Sequence, residues 1–442
     1  MSVRLGTGSG YSGSRVEPAL EIAERGNVDY LVFECLGERT VAIAQQLRHK
    51  DSDKGYDPFL EWRMPRVLKA CLPRGIRIIS NMGAANPEMA ARRIRGFARD
   101  LARPDLRIAV VTGDDVKDKL LARDSVMVGS GIRLRDLGDR LVAANAYIGS
   151  DSIVDALDRG AEVVVGGRFA DPSLFLAPLR YEFGWSATDW ARLGAGTVTG
   201  HLLECSAQVT GGFFADPGYQ DVPGLTEVGF PIAEVEPSGE AIITKAQGSG
   251  GMVTVETCAQ QLLYEVGDPS AYLTPDVSAD FTGVEFSLAG PDQVRVTGGG
   301  GREAPPTLKV SVGYLDGYIG EGQISYGGPG AERRAKLAAE ILARRFEIIG
   351  LRLRESRFDL IGVNSLYGGA PNAVGASEVR LRVTARTDHA SDAGEIGHEV
   401  EALYATGPAA GGGVSRSVRE VLAIGDVFIP REEVVLQVEM FG

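Results

Sequence analysis

From the N-terminus to about residue 185 the chain repeats one pattern: a short apolar run, a Gly/Asn/Asp turn, then an amphipathic helix. The runs are Val3–Leu5, Tyr30–Phe33, Ile76–Ile79, Ile108–Val111, Leu141–Ala144 and Val163–Val165. Helical patterns lie between them around Pro18–Arg25, Thr40–His49, Leu60–Ala70, Pro87–Leu101 and Ile153–Arg159. Short apolar runs that alternate with helices build βαβ units and hence a parallel sheet. Pro18 and Pro87 suit a first helical turn, and Gly26, Gly75 and Gly160 fall where helices should stop. The pattern predicts an α/β domain over residues 1–210 with an open, mostly parallel, Rossmann-like sheet.

Ala187–Gln208 reads as a further helix. Beyond Val209 the texture changes to strand-like stretches and Gly/Pro turns: Val228–Glu236, Ala241–Lys245, Val284–Leu288, Val294–Val296 and Leu308–Tyr314. A helix at Ala331–Ile349 and strands at Phe358–Val363 and Glu378–Thr387 follow. Helices at Gly394–Thr406 and Val414–Ala423 and a strand at Glu433–Val438 close the chain. Residues 211–442 are expected to form an α+β domain, with the boundary inside Val209–Gly212. No repeat of 20–50 residues stands out.

Composition narrows the function. Hydrophobic residues make up 44% and charged residues 24%, an ordinary globular balance. No run approaches the ~18 apolar residues of a membrane span, and the first ten residues lack the basic and apolar regions of a signal peptide. Cys35, Cys71, Cys205 and Cys258 lie far apart, which argues against a zinc ribbon or disulfide framework. A cytoplasmic protein with no membrane partner is expected. The net charge of −13 argues against nucleic acid as a partner. The 58 glycines in 442 residues are almost twice the usual ~7%. They gather at the ends of apolar runs, where a strand turns tightly or a ligand approaches the backbone.

Ligands bind at the carboxyl ends of parallel strands, so the turns there carry the candidate site. They hold Gly6–Gly13 with Tyr11 and Ser12, then Arg15; Glu34 to Arg39; Asn81, Gly83 and Asn86; Thr112, Asp114 and Asp115; Asn145, Tyr147 and Gly149; and Gly166, Gly167, Arg168 and Asp171. Together they describe a polar cleft. The alternative is that the Asn, Asp and Gly residues only build turns and helix caps. Gly8, Gly10 and Gly13 form a G-x-G-x-x-G, with Glu34 placed 21 residues on as a dinucleotide's ribose acid would be. The match is loose, because the first run is short and the helix starts late. Arg15 near a helix start also suits a phosphate-bearing group.

A second constellation is helical. His201, Glu204, Cys205 and Gln208 share one face at i, i+3, i+4 and i+7. Acid/base or positioning chemistry, an activated thiolate, a metal site, or a hydrogen-bonded buried face all fit that spacing. Few other His or Cys ligands exist, so no bound metal is expected.

Several segments resemble the acyclic terpene utilisation AtuA family. They are Gly-Tyr-Ser-Gly-Ser-Arg at 10–15, Phe-Glu-Cys-Leu-Gly-Glu-Arg-Thr at 33–40, Asn-Met-Gly-Ala-Ala-Asn-Pro at 81–87, Gly-Gly-Arg-Phe-Ala-Asp-Pro at 166–172, Gly-His-Leu-Leu-Glu-Cys at 200–205 and Tyr-Leu-Thr-Pro-Asp-Val at 272–277. They occur in the family's order and spacing across nearly the whole chain. The resemblance implies a substrate among branched acyl-CoA thioesters, with coenzyme A as its carrier. It implies carbon–carbon cleavage, or addition or removal of water, by acid/base chemistry. Long family members carry an extra C-terminal ferredoxin-like domain that this sequence lacks, so a small ferredoxin-fold subunit is an expected partner, alongside homo-oligomers. Glu34, Asp171, His201, Glu204 and Tyr147 are the candidate acids and bases. Gly8, Gly10, Tyr11, Ser12, Gly13, Arg15, Arg39, Asn81, Gly83, Asn86, Asp114, Asn145, Arg168 and Cys205 are the candidate ligand-binding residues. A non-catalytic subunit completed by a small partner and a dinucleotide-dependent oxidoreductase are the competing readings.

Overall fold

The computed structural model describes residues 2–368 and 376–441. They form two compact units, Met1–Gly313 with Ile424–Gly442, and Tyr314–Ala423.

In the larger unit the early strands are β1 (Val3–Gly10), β2 (Tyr30–Glu34), β3 (Arg77–Ser80), β4 (Ile108–Thr112), β5 (Leu141–Ala146) and β6 (Val163–Val165). Five of them lie side by side and parallel in the order β1-β2-β3-β6-β4. β7 (Pro231–Val235) and β8 (Ala241–Lys245) extend this sheet antiparallel beyond β1. Next come β9 (Tyr272–Leu273), β10 (Ser278–Asp280), β11 (Glu285–Gly290), β12 (Gln293–Thr297) and β13 (Gly300–Arg302). β12 and β11 continue the large sheet past β8, while β9, β10 and β13 form a small one. β14 (Thr307–Gly327), β15 (Glu355–Ile361), β16 (Glu378–Thr387), β17 (Gly411–Pro430) and β18 (Gln437–Phe441) complete the strands. β18 closes the far edge, antiparallel to β4. The result is a ten-stranded mixed sheet in a mixed α/β fold.

The helices are α1 (Glu17–Arg25), α2 (Glu38–Lys50), α3 (Leu60–Cys71), α4 (Pro87–Asp100), α5 (Lys117–Ala122), α6 (Leu134–Leu137), α7 (Asp151–Asp158), α8 (Asp171–Phe183), α9 (Trp190–Glu204), α10 (Val255–Leu263), α11 (Ala331–Ile348) and α12 (Ala390–Thr406). Apolar stripes of α1, α3 and α4 bury Ile22, Met64 and Ile94 with Leu31, Phe33 and Val165 of the parallel strands.

Four features differ from the sequence reading. The expected boundary near residue 210 falls inside the larger unit: the change at Val209–Gly212 marks a switch from parallel to antiparallel strands within one sheet. β5 is a strand, but it pairs with β14 rather than joining the parallel set. Val414–Ala423 is strand, not helix. Its apolar residues fall near helical spacing, but Val414, Val418 and Val421 are β-branched and the segment pairs with β14. α8 escaped the sequence reading because Pro172–Arg180 are all buried, which leaves no amphipathic period to detect.

The smaller unit runs β14-α11-β15-β16-α12-β17, with sheet order β15-β16-β14-β17. This βαββαβ succession is the ferredoxin-like arrangement. β16 buries Val379, Leu381, Val383 and Ala385 and turns Arg380, Arg382 and Arg386 to the other face. Gly320 lets α12 approach, since a Cβ there would lie 2.1 Å from the Ala393 carbonyl oxygen.

Candidate active site

β1 runs to Gly10, so Gly8 and Gly10 of the G-x-G-x-x-G belong to a strand rather than a phosphate-binding turn. Their small size serves packing. A Cβ at Gly8 would meet the Phe33 ring at 2.4 Å, and one at Gly10 would sit 2.6 Å from the Cys205 carbonyl carbon. The end of β1 is thereby pressed against the last turn of α9. Gly10→Ala forces backbone to move and should cost about 1–3 kcal/mol, read as a lower Tm.

The turn after β1 is tied down from within. Ser14 Oγ accepts hydrogen bonds from the Gly10 and Tyr11 amides at 3.2 and 3.3 Å. The fully buried Arg63 donates to the Ser12 and Ser14 carbonyl oxygens at 2.7 and 3.0 Å. Sequence reasoning missed Arg63, which sits inside an ordinary helical pattern. Tyr11, Gly13 and Arg15 line an outer groove with Phe59 and Trp62. Arg15 is exposed and donates to the Thr226 carbonyl at 3.4 Å. Arg39 is exposed near the start of α2.

The other polar turn residues spend their groups on one another. Asn86 caps α4, accepting from the Met89 amide at 3.4 Å and donating to the Ser52 and Lys54 carbonyls. Asp114 accepts from the Arg168 amide and from Asn145 Nδ2, each at 2.9 Å. A Cβ at Gly83 would lie 2.5 Å from the Gly166 oxygen. Asn81 accepts from the Cys35 amide at 2.7 Å and donates to Glu34 Oε1 at 3.1 Å, where the Leu36 amide also donates at 2.7 Å. The acid at the end of β2 is thus held by its own neighbours.

A cavity of about 340 Å³ gathers most of the candidate acids and bases. Tyr147, Arg168, Asp171, His201 and Glu204 line it, together with Glu38, Lys309 and Tyr272. Arg168 comes from the turn after β6 and is fully buried. Its Nη1 donates to Asp171 Oδ1 at 2.5 Å and to the Phe169 carbonyl, and its guanidinium lies 3.9 Å from the centre of the Tyr147 ring. Tyr147 donates its hydroxyl to Glu38. Burial alone would push Glu38 up, but Arg168, the Tyr147 hydroxyl and Lys309 outweigh it and hold the carboxyl down at about 2. Glu38 and Lys309 were missed in the sequence. Glu38 opens α2 like any first-turn acid, and Lys309 sits on β14, far along the chain.

His201 and Glu204 meet as helical spacing predicts, with Nδ1 to Oε1 at 2.8 Å. His201 also packs against Tyr272 and Phe281, at 5.2 and 5.4 Å between ring centres. Burial works against a charged imidazole, yet the Glu204 carboxylate raises His201 above its usual value. Burial pushes Glu204 up to about 7, against His201 and with the Asp171 carboxylate adding to it. Burial and then Asp171 push Glu34 up to about 8. His201 Nε2 and Glu204 Oε2 are buried with no partner among the described residues. Cys205 ends α9, and burial with Glu204 nearby drives its thiol upward, so the pair with His201 does not make a thiolate. Gln208 lies beyond the helix, in a 3₁₀ turn.

No group of three or more His, Cys, Asp or Glu among the described residues could hold a metal ion. No helix among them is long and apolar enough to cross a membrane. The family profile described as Acyclic terpene utilisation family protein AtuA matches residues 3–440. The chain belongs to the AtuA family. The match spans both units, including the strands that bring Lys309 and the helix that brings His201 to the cavity. No curated protein gives a significant match.

Proposed function

We propose that this AtuA family protein is a lyase or hydro-lyase that acts on a branched or hydroxylated acyl thioester by acid/base chemistry in the 340 Å³ cavity. One observation carries the reading: on the cavity wall His201 Nδ1 meets Glu204 Oε1 at 2.8 Å beside the Arg168–Asp171 pair, where burial, with Asp171 adding to it, raises Glu204 to about 7. A carboxyl near 7 that shares a proton with an imidazole can both take one up and give it back near neutral pH.

For carbon–carbon cleavage, the His201–Glu204 pair removes the proton of a tertiary hydroxyl. The adjacent carbon–carbon bond breaks, its electrons pass to the thioester enolate, and the proton now carried by the His201–Glu204 pair is returned to the enolate carbon to give the acyl thioester. For loss of water, the pair removes the proton α to the carbonyl and passes it to the departing hydroxyl. Water in the reverse sense gives hydration. Arg168 holds Asp171 at 2.5 Å within the cluster and faces Tyr147.

Screening branched, hydroxylated and carboxylated acyl thioesters by mass spectrometry tests the reading. Wild type should convert at least one, and Glu204→Gln should convert it about 10²–10⁴ times more slowly. Undiminished conversion by Glu204→Gln would remove the His201–Glu204 pair from the chemistry of this cavity.

A further inference from the structure

Part of the cavity lining is apolar, supplied by Pro172, Pro275, Pro305, Leu308 and Phe428. Much of the rest is charged, and the charges do not balance. Four carboxyls line it, Glu38, Asp171, Glu204 and Glu265, against three basic side chains, Arg168, His201 and Lys309. Each basic group is already engaged. Arg168 holds Asp171 at 2.5 Å, and His201 meets Glu204 at 2.8 Å. Lys309 stands between Glu38 at 3.4 Å and Asp426 at 3.6 Å. Glu265 is the carboxyl left over, with no Lys, Arg or His nitrogen within 4.0 Å among the described residues. A carboxylate entering this cavity would give up its water and find every cation taken.

Glu265 is exposed and still lines the cavity, so it stands at the mouth. It follows α10, which is tied to α9 because Gln261 donates to the His201 carbonyl oxygen at 3.0 Å. Its backbone is left-handed, with φ 59°. Glu seldom adopts that region, where a turn alone is served at less cost by Gly or Asn. A side chain held against its backbone preference beside a reactive pair is a mark of function. After burial and nearer groups, Glu265 adds to the upward push on Glu204, Cys205 and Tyr272, so its charge is felt in the cavity.

We propose that Glu265 is a specificity-determining residue, whose unpaired carboxylate turns away substrate heads that carry a second carboxylate and leaves the cavity to uncharged, branched ones. The proposal rests on the reading of this cavity as the acid/base site. It divides the acyl thioesters by the charge of the head, which the reaction chemistry alone does not do.

Calorimetric titration of the full chain with two unreactive analogues tests it. One is the isovaleryl thioester of N-acetylcysteamine, and the other is the same molecule with a carboxylate on one methyl group. Neither has the hydroxyl that the reaction needs, so binding is read without turnover. The uncharged analogue should bind saturably and the carboxylated one at least tenfold more weakly, since like charges oppose each other at close range. Glu265→Gln should narrow that gap threefold or more, and Glu265→Asp should keep it, both with the Tm of wild type. In wild type, about 0.5 M salt should narrow the gap as well, because the charge at the mouth is open to screening. Lack of saturable binding by the uncharged analogue, equal or tighter binding of the carboxylated one, or a gap unmoved by Glu265→Gln or by salt would each overturn the proposal. A wild type that discriminates in this way yet converts no hydroxylated thioester would overturn the acid/base reading and leave the selection by charge standing.

Discussion

Glu34→Gln leaves the fold intact. Gln keeps the shape and the acceptor that Leu36 and Asn81 engage, and loses only the transferable proton. The same variant changes how stability depends on pH. Burial first and Asp171 second raise Glu34 from an ordinary 4.5 to about 8 in the folded chain. The folded state therefore binds this proton more tightly than the unfolded state. The resulting stabilisation is fully present below the unfolded value and is lost as pH rises through about 8, on the order of several kcal/mol. Denaturation of wild type between pH 5 and 9 should show that decline, and Glu34→Gln should show a flatter one. Equal slopes would mean that Glu34 titrates like a solvated acid.

Arg168→Met destabilises the larger unit by about 1.5–3 kcal/mol, the cost of removing charged hydrogen bonds to Asp171 and the Phe169 carbonyl. Asp171 loses its 2.5 Å pair and Tyr147 loses the nearer of the two cations on its ring, Lys309 remaining. Thermal melts should fall by roughly 3–10 °C. Arg168→Lys recovers part of the charge but neither the fork nor the stacked plane, so its Tm should lie between the two. A Tm unchanged in Arg168→Met would show that the cluster bears no structural stress. By contrast, Arg39→Ala removes an exposed side chain and should alter stability by no more than about 0.5 kcal/mol.

The cavity was legible in the sequence where local rules apply. His201 and Glu204 meet because three residues make nearly one helical turn, and Asp171 and Arg168 because a single turn holds both. The parallel strands showed as dense Val and Ile runs bounded by glycine, and β16 as strict alternation of Val and Leu with Arg. Lys309 and Glu38 did not show, because their meeting depends on β5 leaving the parallel sheet to pair with β14. Tertiary pairing of that kind has no local sign. The glycine-rich start misled for a related reason. Gly8 and Gly10 answer to Phe33 and to the end of α9, which no local motif can announce. Asn81, Asn86, Asp114 and Asn145 have the composition of a ligand cleft and the bonding of turns and caps.

β18 pairs with β4 in the register Gln437 to Thr112, across more than three hundred residues of chain. During synthesis, the edge of β4 emerges from the ribosome long before the strand that covers it. For that interval a row of Ile, Ala and Val with open amide and carbonyl groups is available to any passing strand. Pairings between distant segments also form slowly, because chain entropy is lost before the contact repays it. Nascent chains paused before residue 437 should therefore be the species most prone to aggregate and most dependent on chaperones.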